Sequence, residues 1–190
     1  MRKEYRVSIR PYRCGDVEAA YDAVRESRDE LSKWFTWCTE NYSRDDSQKF
    51  INSQAEKSKC GKYDFAIVDY DTDCFLGSCG LQVDENNNKV ANISYWVRKC
   101  AVGKGVATRA ARLLVTFGFE TLELNKIMFK MAVCNKGSIK VAKRCGTKEV
   151  PKEGETLEVK NKSYAARRFE LTREDYRSMW NRIPENENQC

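Results

Sequence analysis

One stretch, residues 93–146, decides the fold of this chain, and its centre from Tyr95 to Ala107 reads YWVRKCAVGKGVA. An alternating apolar run ends there, a short loop carries Gly103 and Gly105, and a long helical pattern begins. Glycines at such a junction let the backbone approach a ligand closely, and the first N–H groups of the helix lack intrahelical acceptors. A helix N-terminus also carries about half a positive charge. The sequence therefore predicts a phosphate-containing ligand at this loop.

Length and composition predict a single compact unit. The chain has 190 residues, of which 41% are apolar and 33% are charged. We expect one domain over residues 1–183 and a polar C-terminal tail over residues 184–190. No window approaches the roughly 18 apolar residues of a membrane span, and the charged N-terminus lacks the apolar segment of a signal peptide. We therefore expect a cytoplasmic protein that does not enter membranes.

The absence of histidine excludes several kinds of catalysis. Without it, neither Ser-His-Asp nor Cys-His machinery can be built, so protons must move through carboxylates, Tyr, Ser, Cys, Lys or water. The nine cysteines are odd in number and form no Cys-x-x-Cys pair, so we expect free thiols and no metal site. The formal net charge is +6, but acidic and basic residues are interleaved. We expect no specific nucleic-acid binding, although a mild positive field suits a polyanionic cofactor.

The order of predicted elements indicates a mixed α+β domain. Predicted strands cover residues 5–10, 63–70, 74–83, 89–98, 126–133 and 164–171, and the second, third and fourth of them form an antiparallel meander. Helices are predicted after the N-cap candidate Asp16, from Asp45 to Gly61, from Val106 to Thr121, before Gly146 and after Thr172. The charged segment 148–162 is predicted to be a loop. We expect a central, mostly antiparallel twisted sheet of about seven strands flanked by helices.

The glycine loop alone does not identify its ligand, because Gly-x-Gly turns also occur for backbone reasons. The loop is neither a Walker loop nor a dinucleotide fingerprint, which argues against nucleoside triphosphates and NAD. Around it lie YWV at 95–97, VGKGVAT at 102–108, LELNKI at 122–127, and the pattern Asn-x-x-Ser-x-x-Val-Ala-x-x-x-Gly from Asn135 to Gly146. Outside this block are IRP at 9–11, LSKWFTW at 31–37 and LTREDY at 171–176. Together these segments resemble the GNAT acetyltransferases, and more narrowly the RimJ/RimL-like branch, protein N-terminal acetyltransferases first known from ribosomal proteins.

The resemblance implies a GNAT fold and acetyl-CoA as the cosubstrate. Its pyrophosphate would bind backbone N–H groups of the loop, and its pantetheine arm would pair with the end of the strand at 95–97. Asn135 would hold the arm from the other side, and Lys143 or Lys140 would reach a phosphate. The cofactor-binding residues implied in this way are Tyr95, Trp96, Val97, Val102, Gly103, Lys104, Gly105, Val106, Ala107, Thr108, Asn135, Ser138 and Lys143.

The resemblance also implies catalytic groups. The branch pattern has a Glu six residues before a Tyr in a late hairpin, and counting back from Tyr164 gives Glu158 as the base. Glu153 and Glu155 lie in the same charged loop. Ser138 would donate a hydrogen bond to the leaving thiolate. At pH 7 an α-amine is neutral in roughly one molecule in ten and a lysine amine in about one in 2,500. A carboxylate acting through water therefore suits an α-amine better.

The predicted acceptor is a protein N-terminal α-amine of the ribosomal-protein type. The alternative is a small-molecule amine such as a polyamine, an aminoglycoside or an amino acid, and a third reading is a CoA-binding protein without catalysis. In either enzyme, Trp34 and Trp37 would line the acceptor pocket. Both a monomer and a homodimer remain open.

The chain departs from the branch pattern at several positions. Val102 stands where the loop usually has Arg or Gln, and Arg109 stands where an acidic residue is usual. The aromatic residue that commonly follows Gly146 is absent, as is the acidic residue that usually follows the hairpin Tyr164. The first three departures concern cofactor affinity or packing, and the last concerns the acceptor.

Overall fold

The computed structural model describes residues 4–180, so the predicted tail and residues 181–183 lie outside the described residues. The helices are α1 (Val17–Leu31), α2 (Arg44–Asn52), α3 (Gln54–Lys59), α4 (Val106–Thr116), α5 (Lys136–Arg144) and α6 (Arg173–Trp180). The strands are β1 (Val7–Pro11), β2 (Lys62–Asp69), β3 (Phe75–Asp84), β4 (Asn87–Val97), β5 (Lys126–Ala132), β6 (Lys148–Glu149), β7 (Thr156–Val159) and β8 (Lys162–Thr172). Within the described range, no helix has the length and apolar character needed to cross a membrane.

The strands form one sheet in the order β1-β2-β3-β4-β5-β8-β6, and β7 pairs with β8 beside this path. Neighbouring strands are antiparallel except β4 and β5, which are parallel. The predicted α+β architecture, a mostly antiparallel sheet flanked by helices, is confirmed. Over residues 4–180 the sheet has eight strands rather than about seven, and two of them, β6 and β7, form within the segment that was predicted to be a loop.

Hydrophobic clusters cover both faces of the sheet. Ile67 of β2 belongs to the cluster that contains the buried side of α4, whereas Ala66 and Val68 belong to the cluster of α1 and α2. Successive side chains of a strand point to opposite faces, so α4 lies on one face and α1 and α2 lie on the other. This arrangement places α4, whose N-terminus follows the glycine loop, and the helices α1 and α2 on opposite faces of the sheet.

Two helix predictions are corrected by side-chain hydrogen bonds. Asp16 directly precedes α1 but does not cap it, because its carboxylate accepts hydrogen bonds from Arg10 and from the Arg13 N–H. The helix predicted from Asp45 to Gly61 is divided into α2 and α3 at Ser53. The Ser53 hydroxyl and the Gln54 amide both donate to the Phe50 carbonyl, at 2.7 and 2.6 Å. These bonds compete with the helical hydrogen bonds there.

The charged segment 148–162 also differs from its prediction. Thr156–Val159 pairs with the start of β8 through a two-residue turn at Lys160 and Asn161. Both turn residues have positive φ, 49° and 61°, which matches the twist of a tight hairpin. Lysine is an unusual residue for such a turn, which is why the local pattern predicted a loop although the family resemblance implied a late hairpin.

Candidate active site

The parallel strands β4 and β5 separate at the centre of the sheet. They pair only as far as Asn92 and Met128, although β4 continues to Val97 and β5 to Ala132. A cleft of about 200 Å³ lies between the separated ends, lined by residues 93–95 and 129–132. Separated strands present main-chain donors and acceptors that an extended polar ligand can bind.

The close packing of β3 on β4 beside this cleft depends on a glycine. Gly77 has a φ of 152° and pairs with Val97. A Cβ atom at position 77 would lie 2.2 Å from the Trp96 carbonyl oxygen. The cleft end of β4 therefore holds its position only because residue 77 has no side chain.

The predicted phosphate loop lies between β4 and α4. Gly103 and Gly105 have φ values of 76° and 78°, in the left-handed region that favours glycine. The first main-chain hydrogen bond of α4 runs from the Arg109 N–H to the Gly105 carbonyl, at 3.0 Å. The N–H groups of residues 106–108 consequently lack intrahelical acceptors. The loop can therefore offer backbone donors and the positive end of a helix dipole to an anion.

The side chains of the loop contribute less than its backbone. Val102 is exposed, and Val106 is buried in the core. The Lys104 ammonium lies 5.2 Å from the centre of the Tyr5 ring. Arg109, which reverses the charge usual in the branch, donates to the Tyr5 carbonyl at 3.1 Å and pairs with Glu4. Arg109 thus ties the segment that precedes β1 to α4.

At the opposite wall of the cleft, the start of α5 is held by two hydrogen bonds. The Asn135 side-chain oxygen accepts from the Ser138 N–H at 3.1 Å and caps α5. The Tyr95 hydroxyl donates to the Ser138 carbonyl at 3.2 Å, across the gap between β4 and α5. Burial raises the pKa of Tyr95 well above its ordinary value, so the phenol stays protonated. Asn135, Ser138 and Tyr95 all line the cleft, whereas Lys143 is exposed near the end of α5.

A second cavity of about 410 Å³ lies between α1, α2 and strands β2–β4. Phe35, Ser94 and Tyr95 line both this cavity and the cleft, so the two adjoin at β4. Trp34 and Trp37 were predicted to line a single acceptor pocket, but they line different cavities. Trp34 lines the cleft beside the Tyr164 ring, and Trp37 lines the second cavity with its ring 6.2 Å from that of Trp96.

The hairpin glutamates differ in their surroundings. Glu158 is exposed on β7, while its neighbour Leu157 lines the cleft. The Glu155 side chain is 4% exposed and forms ion pairs with Arg168 and Lys130. Burial raises the pKa of Glu155, but the hydrogen bonds from Arg168 and Lys130 outweigh it, so that pKa lies below its ordinary value. The sequence does not distinguish Glu155 from Glu153 and Glu158, because Glu155 becomes buried only when the hairpin forms.

One carboxylate of the site was missed by the sequence reading. Asp64 of β2 lines the second cavity beside Ser78 and Tyr12. In the sequence, Asp64 is simply an acidic residue that alternates with apolar residues of a predicted strand, and a residue of this kind usually faces solvent. The helices α1 and α2, which enclose it, are distant in the chain.

Comparison with known proteins agrees with this geometry. A family model for the acetyltransferase (GNAT) domain matches residues 6–148. YdaF, a candidate ribosomal N-acetyltransferase of Bacillus subtilis (strain 168), is 29% identical over 155 residues, which span 80% of this chain and 84% of YdaF.

Two solved structures share the fold. The ribosomal L7/L12 α-N-protein acetyltransferase RimL in complex with coenzyme A superposes with a TM-score of 0.77 at 16% identity, covering 90% of this chain and 96% of RimL. A spermidine N-acetyltransferase from Vibrio cholerae, in complex with CoA and spermine, gives a TM-score of 0.72 at 20% identity, with coverages of 90% and 97%.

The sheet with its separated parallel pair, next to a loop of exposed amides, is the framework of an acyl-transferring enzyme. The chain belongs to the GNAT acetyltransferase family, as the resemblance predicted, and is an acyltransferase. The names of the proteins it resembles include a ribosomal N-acetyltransferase, YdaF, and, among the structures that share its fold, a ribosomal-protein and a spermidine acetyltransferase, which differ in acceptor.

Proposed function

We propose that this enzyme transfers the acetyl group of acetyl-CoA to a primary amine. The observation that carries the proposal is the separation of β4 from β5 beside the glycine loop. An extended pantetheine arm would lie in the cleft and pair with the free edge of β4 at Tyr95, Trp96 and Val97. The pyrophosphate would bind the N–H groups of residues 103–108, which suits an anion at a helix N-terminus.

The remaining cofactor contacts come from α5. Asn135, at the cleft wall, would hold the pantetheine arm opposite β4. Lys143 is exposed on α5 and would meet a CoA phosphate outside the cleft. Since the Asn135 side-chain oxygen already accepts from the Ser138 N–H, its amide nitrogen is the group that would face the arm. No metal takes part in this proposal.

In the reaction, the amine nitrogen attacks the thioester carbonyl, the C–N bond forms, and the C–S bond breaks. A backbone N–H of β4 near Trp96 or Val97 would stabilise the oxyanion. Ser138 would donate a hydrogen bond to the leaving thiolate, which takes up a proton from a water held by Ser138, and that water is in turn reprotonated from solvent. Glu158 would accept the amine proton through water, since its exposed position on β7 leaves it off the cleft wall.

For the acceptor, we propose a protein N-terminal α-amine of the ribosomal-protein type, as the names of YdaF and RimL suggest for those proteins. A small-molecule amine is the second proposal, favoured by the spermidine acetyltransferase neighbour. We also propose that residues 1–183 form the catalytic unit and that it works in the cytoplasm. The eight described cysteines are free thiols, which suits a reducing compartment.

Calorimetry with acetyl-CoA tests the cofactor, and release of the CoA thiol with a panel of peptides and small amines tests the reaction. We expect micromolar binding and turnover with at least one class of amine. Absence of acetyl-CoA binding would refute the proposed function, and binding without turnover of any amine would indicate a CoA-binding protein.

Replacing Glu158 by Gln tests the proposed base. Loss of a proton acceptor typically lowers turnover by about 10²-fold or more. We expect kcat to fall while the dissociation constant for CoA stays unchanged, because Glu158 lies away from the loop. An unchanged kcat would remove Glu158 from the mechanism.

A further inference from the structure

Consecutive backbone N–H groups, those of residues 98–102, hold the segment between β4 and the glycine loop. The first donates to the Leu76 carbonyl of β3 at 2.7 Å, and the last two close one turn of 3₁₀ helix. The acceptors of the second and third, Lys99 and Cys100, are side chains of α1. The N–H groups proposed for the pyrophosphate begin at the next residue, Gly103. The position of this segment therefore decides where the loop offers its donors.

Two neighbouring side chains of α1 supply these acceptors. The Ser27 hydroxyl oxygen accepts from the Lys99 N–H at 2.9 Å. One carboxylate oxygen of Glu26 accepts from the Cys100 N–H at 3.0 Å, and the other accepts from the Arg98 side chain. Since α1 and α4 pack on opposite faces of the sheet, these contacts join the helix of one face to the segment that leads to the helix of the other.

The surroundings of Glu26 and Ser27 favour these hydrogen bonds. The side chains of Glu26 and Arg98 are 31% and 25% exposed, so the pair is partly shielded from water. The hydrogen bonds from Arg98 and from the Cys100 N–H hold the pKa of Glu26 below its ordinary value, so the carboxylate is ionised at neutral pH. Ser27 is buried, and removal of its hydroxyl would leave the Lys99 N–H without this acceptor.

We propose that Glu26 and Ser27 are positioning residues of the cofactor loop. They hold the peptides of Lys99 and Cys100, and this keeps residues 103–108 in the arrangement that binds the pyrophosphate. The inference rests on the proposed function, which assigns the pyrophosphate to the loop. Without the two acceptors, these peptides rotate toward water, and only a fraction of the molecules keeps the arrangement that binds CoA. The apparent affinity for CoA falls in proportion to that fraction.

Replacing Glu26 by Gln keeps the size of the side chain and removes the charge that pairs with Arg98. We expect the dissociation constant for CoA, measured by calorimetry, to rise about tenfold, the effect of losing a hydrogen bond to a charged group. We also expect KM for acetyl-CoA to rise while kcat stays near the wild-type value, because the bound cofactor restores the loop. An unchanged dissociation constant would overturn the inference.

Glu18→Gln is the matched control. Glu18 lies about two turns earlier on α1 and pairs with Arg44 of α2, so this replacement also removes the charge of a Glu–Arg pair between two elements. We expect Glu18→Gln to bind CoA as tightly as the wild type does. An equal loss of CoA affinity in Glu18→Gln and Glu26→Gln would indicate a general loosening of α1 and would overturn the specific role of Glu26.

Ser27→Ala tests the second contact independently of charge. Its control is Ser47→Ala, because Ser47 is also a buried helical serine, 1% exposed against 2% for Ser27, and its hydroxyl is hydrogen-bonded to that of Tyr42. We expect Ser27→Ala to bind CoA about twofold to tenfold more weakly than the wild type, and Ser47→Ala to bind it equally well. The opposite order would contradict the inference.

Hydrogen exchange of the CoA-free proteins shows whether the segment itself has loosened. We expect the amides of Lys99 and Cys100 to exchange faster in Glu26→Gln than in the wild type and in Glu18→Gln, and we expect CoA to restore their protection. Exchange at the wild-type rate would overturn the inference. If the wild type binds no CoA, the proposed function fails and this inference fails with it. If the wild type binds CoA and the variants of Glu26 and Ser27 bind it equally well, the inference alone fails.

Discussion

The role of the loop backbone can be isolated by the substitution Gly103→Ala. Gly103 has a φ of 76°, and a Cβ atom there would meet no atom within 4 Å. The cost to folding is therefore conformational, about 1 kcal/mol for an alanine at positive φ. For a chain of this length, that cost lowers Tm by about 2–4 °C.

The effect on CoA should be larger than the effect on stability. Alanine favours negative φ, and rotation of this peptide turns its N–H away from the proposed pyrophosphate position. A hydrogen bond to a charged group contributes about 1.5–3 kcal/mol, so loss of one donor weakens CoA binding about tenfold to hundredfold. Calorimetry with CoA, alongside thermal unfolding without it, measures the two effects separately.

Gly154→Ala is the matched control. Gly154 also has positive φ, 68°, with no atom within 4 Å of a built Cβ, but it lies in the turn before β7. We expect both variants to lose similar stability and only Gly103→Ala to lose CoA affinity. Equal CoA affinities in the two variants would refute the reasoning that the loop binds the cofactor through its backbone.

Two further predictions concern the cleft and the stability of the fold. Ser138→Ala removes the hydroxyl and leaves both main-chain hydrogen bonds of residue 138 intact. We therefore expect kcat to fall about tenfold without a change in CoA affinity. An unchanged kcat would exclude the hydroxyl from the reaction. Asp16→Asn removes the charge of an ion pair with Arg10 whose side chains are 9% and 12% exposed. Since Arg10 keeps its second partner Asp73, the free energy of unfolding in urea should fall by about 1.5–3 kcal/mol at pH 7, as for a hydrogen bond to a charged group. Burial raises the pKa of Asp16, but the hydrogen bonds from Arg10 and the Arg13 N–H outweigh it and keep that pKa below its ordinary value. The wild type therefore loses this stability as the pH falls from about 4 through the folded pKa, and a difference between the two proteins that stays constant there would contradict the prediction.

Local pattern was a good guide to the elements that carry the fold. The alternation in residues 63–98 predicted the meander of β2, β3 and β4, and helical spacing predicted α4. The predictions for Asp16 and for the segment 148–162 were wrong, the first because of a contact with another element and the second because of an unusual turn residue. Asp16 was predicted to cap α1 from its position alone, but Arg10 on β1 binds its carboxylate. The hairpin of β7 and β8 depends on positive φ at Lys160, which no local preference indicates.

The sequence by itself determined the family and the corner at Gly103 and Gly105, because short segments with specific residues at fixed spacing define both. Only the tertiary structure decided which face of the sheet each side chain joins. It divided Trp34 from Trp37, buried Glu155 while leaving Glu158 exposed, and brought Asp64 under α1 and α2. The physical reason is that a strand residue's surroundings come from helices and neighbouring strands far away in the chain, and burial and electrostatics depend on those surroundings.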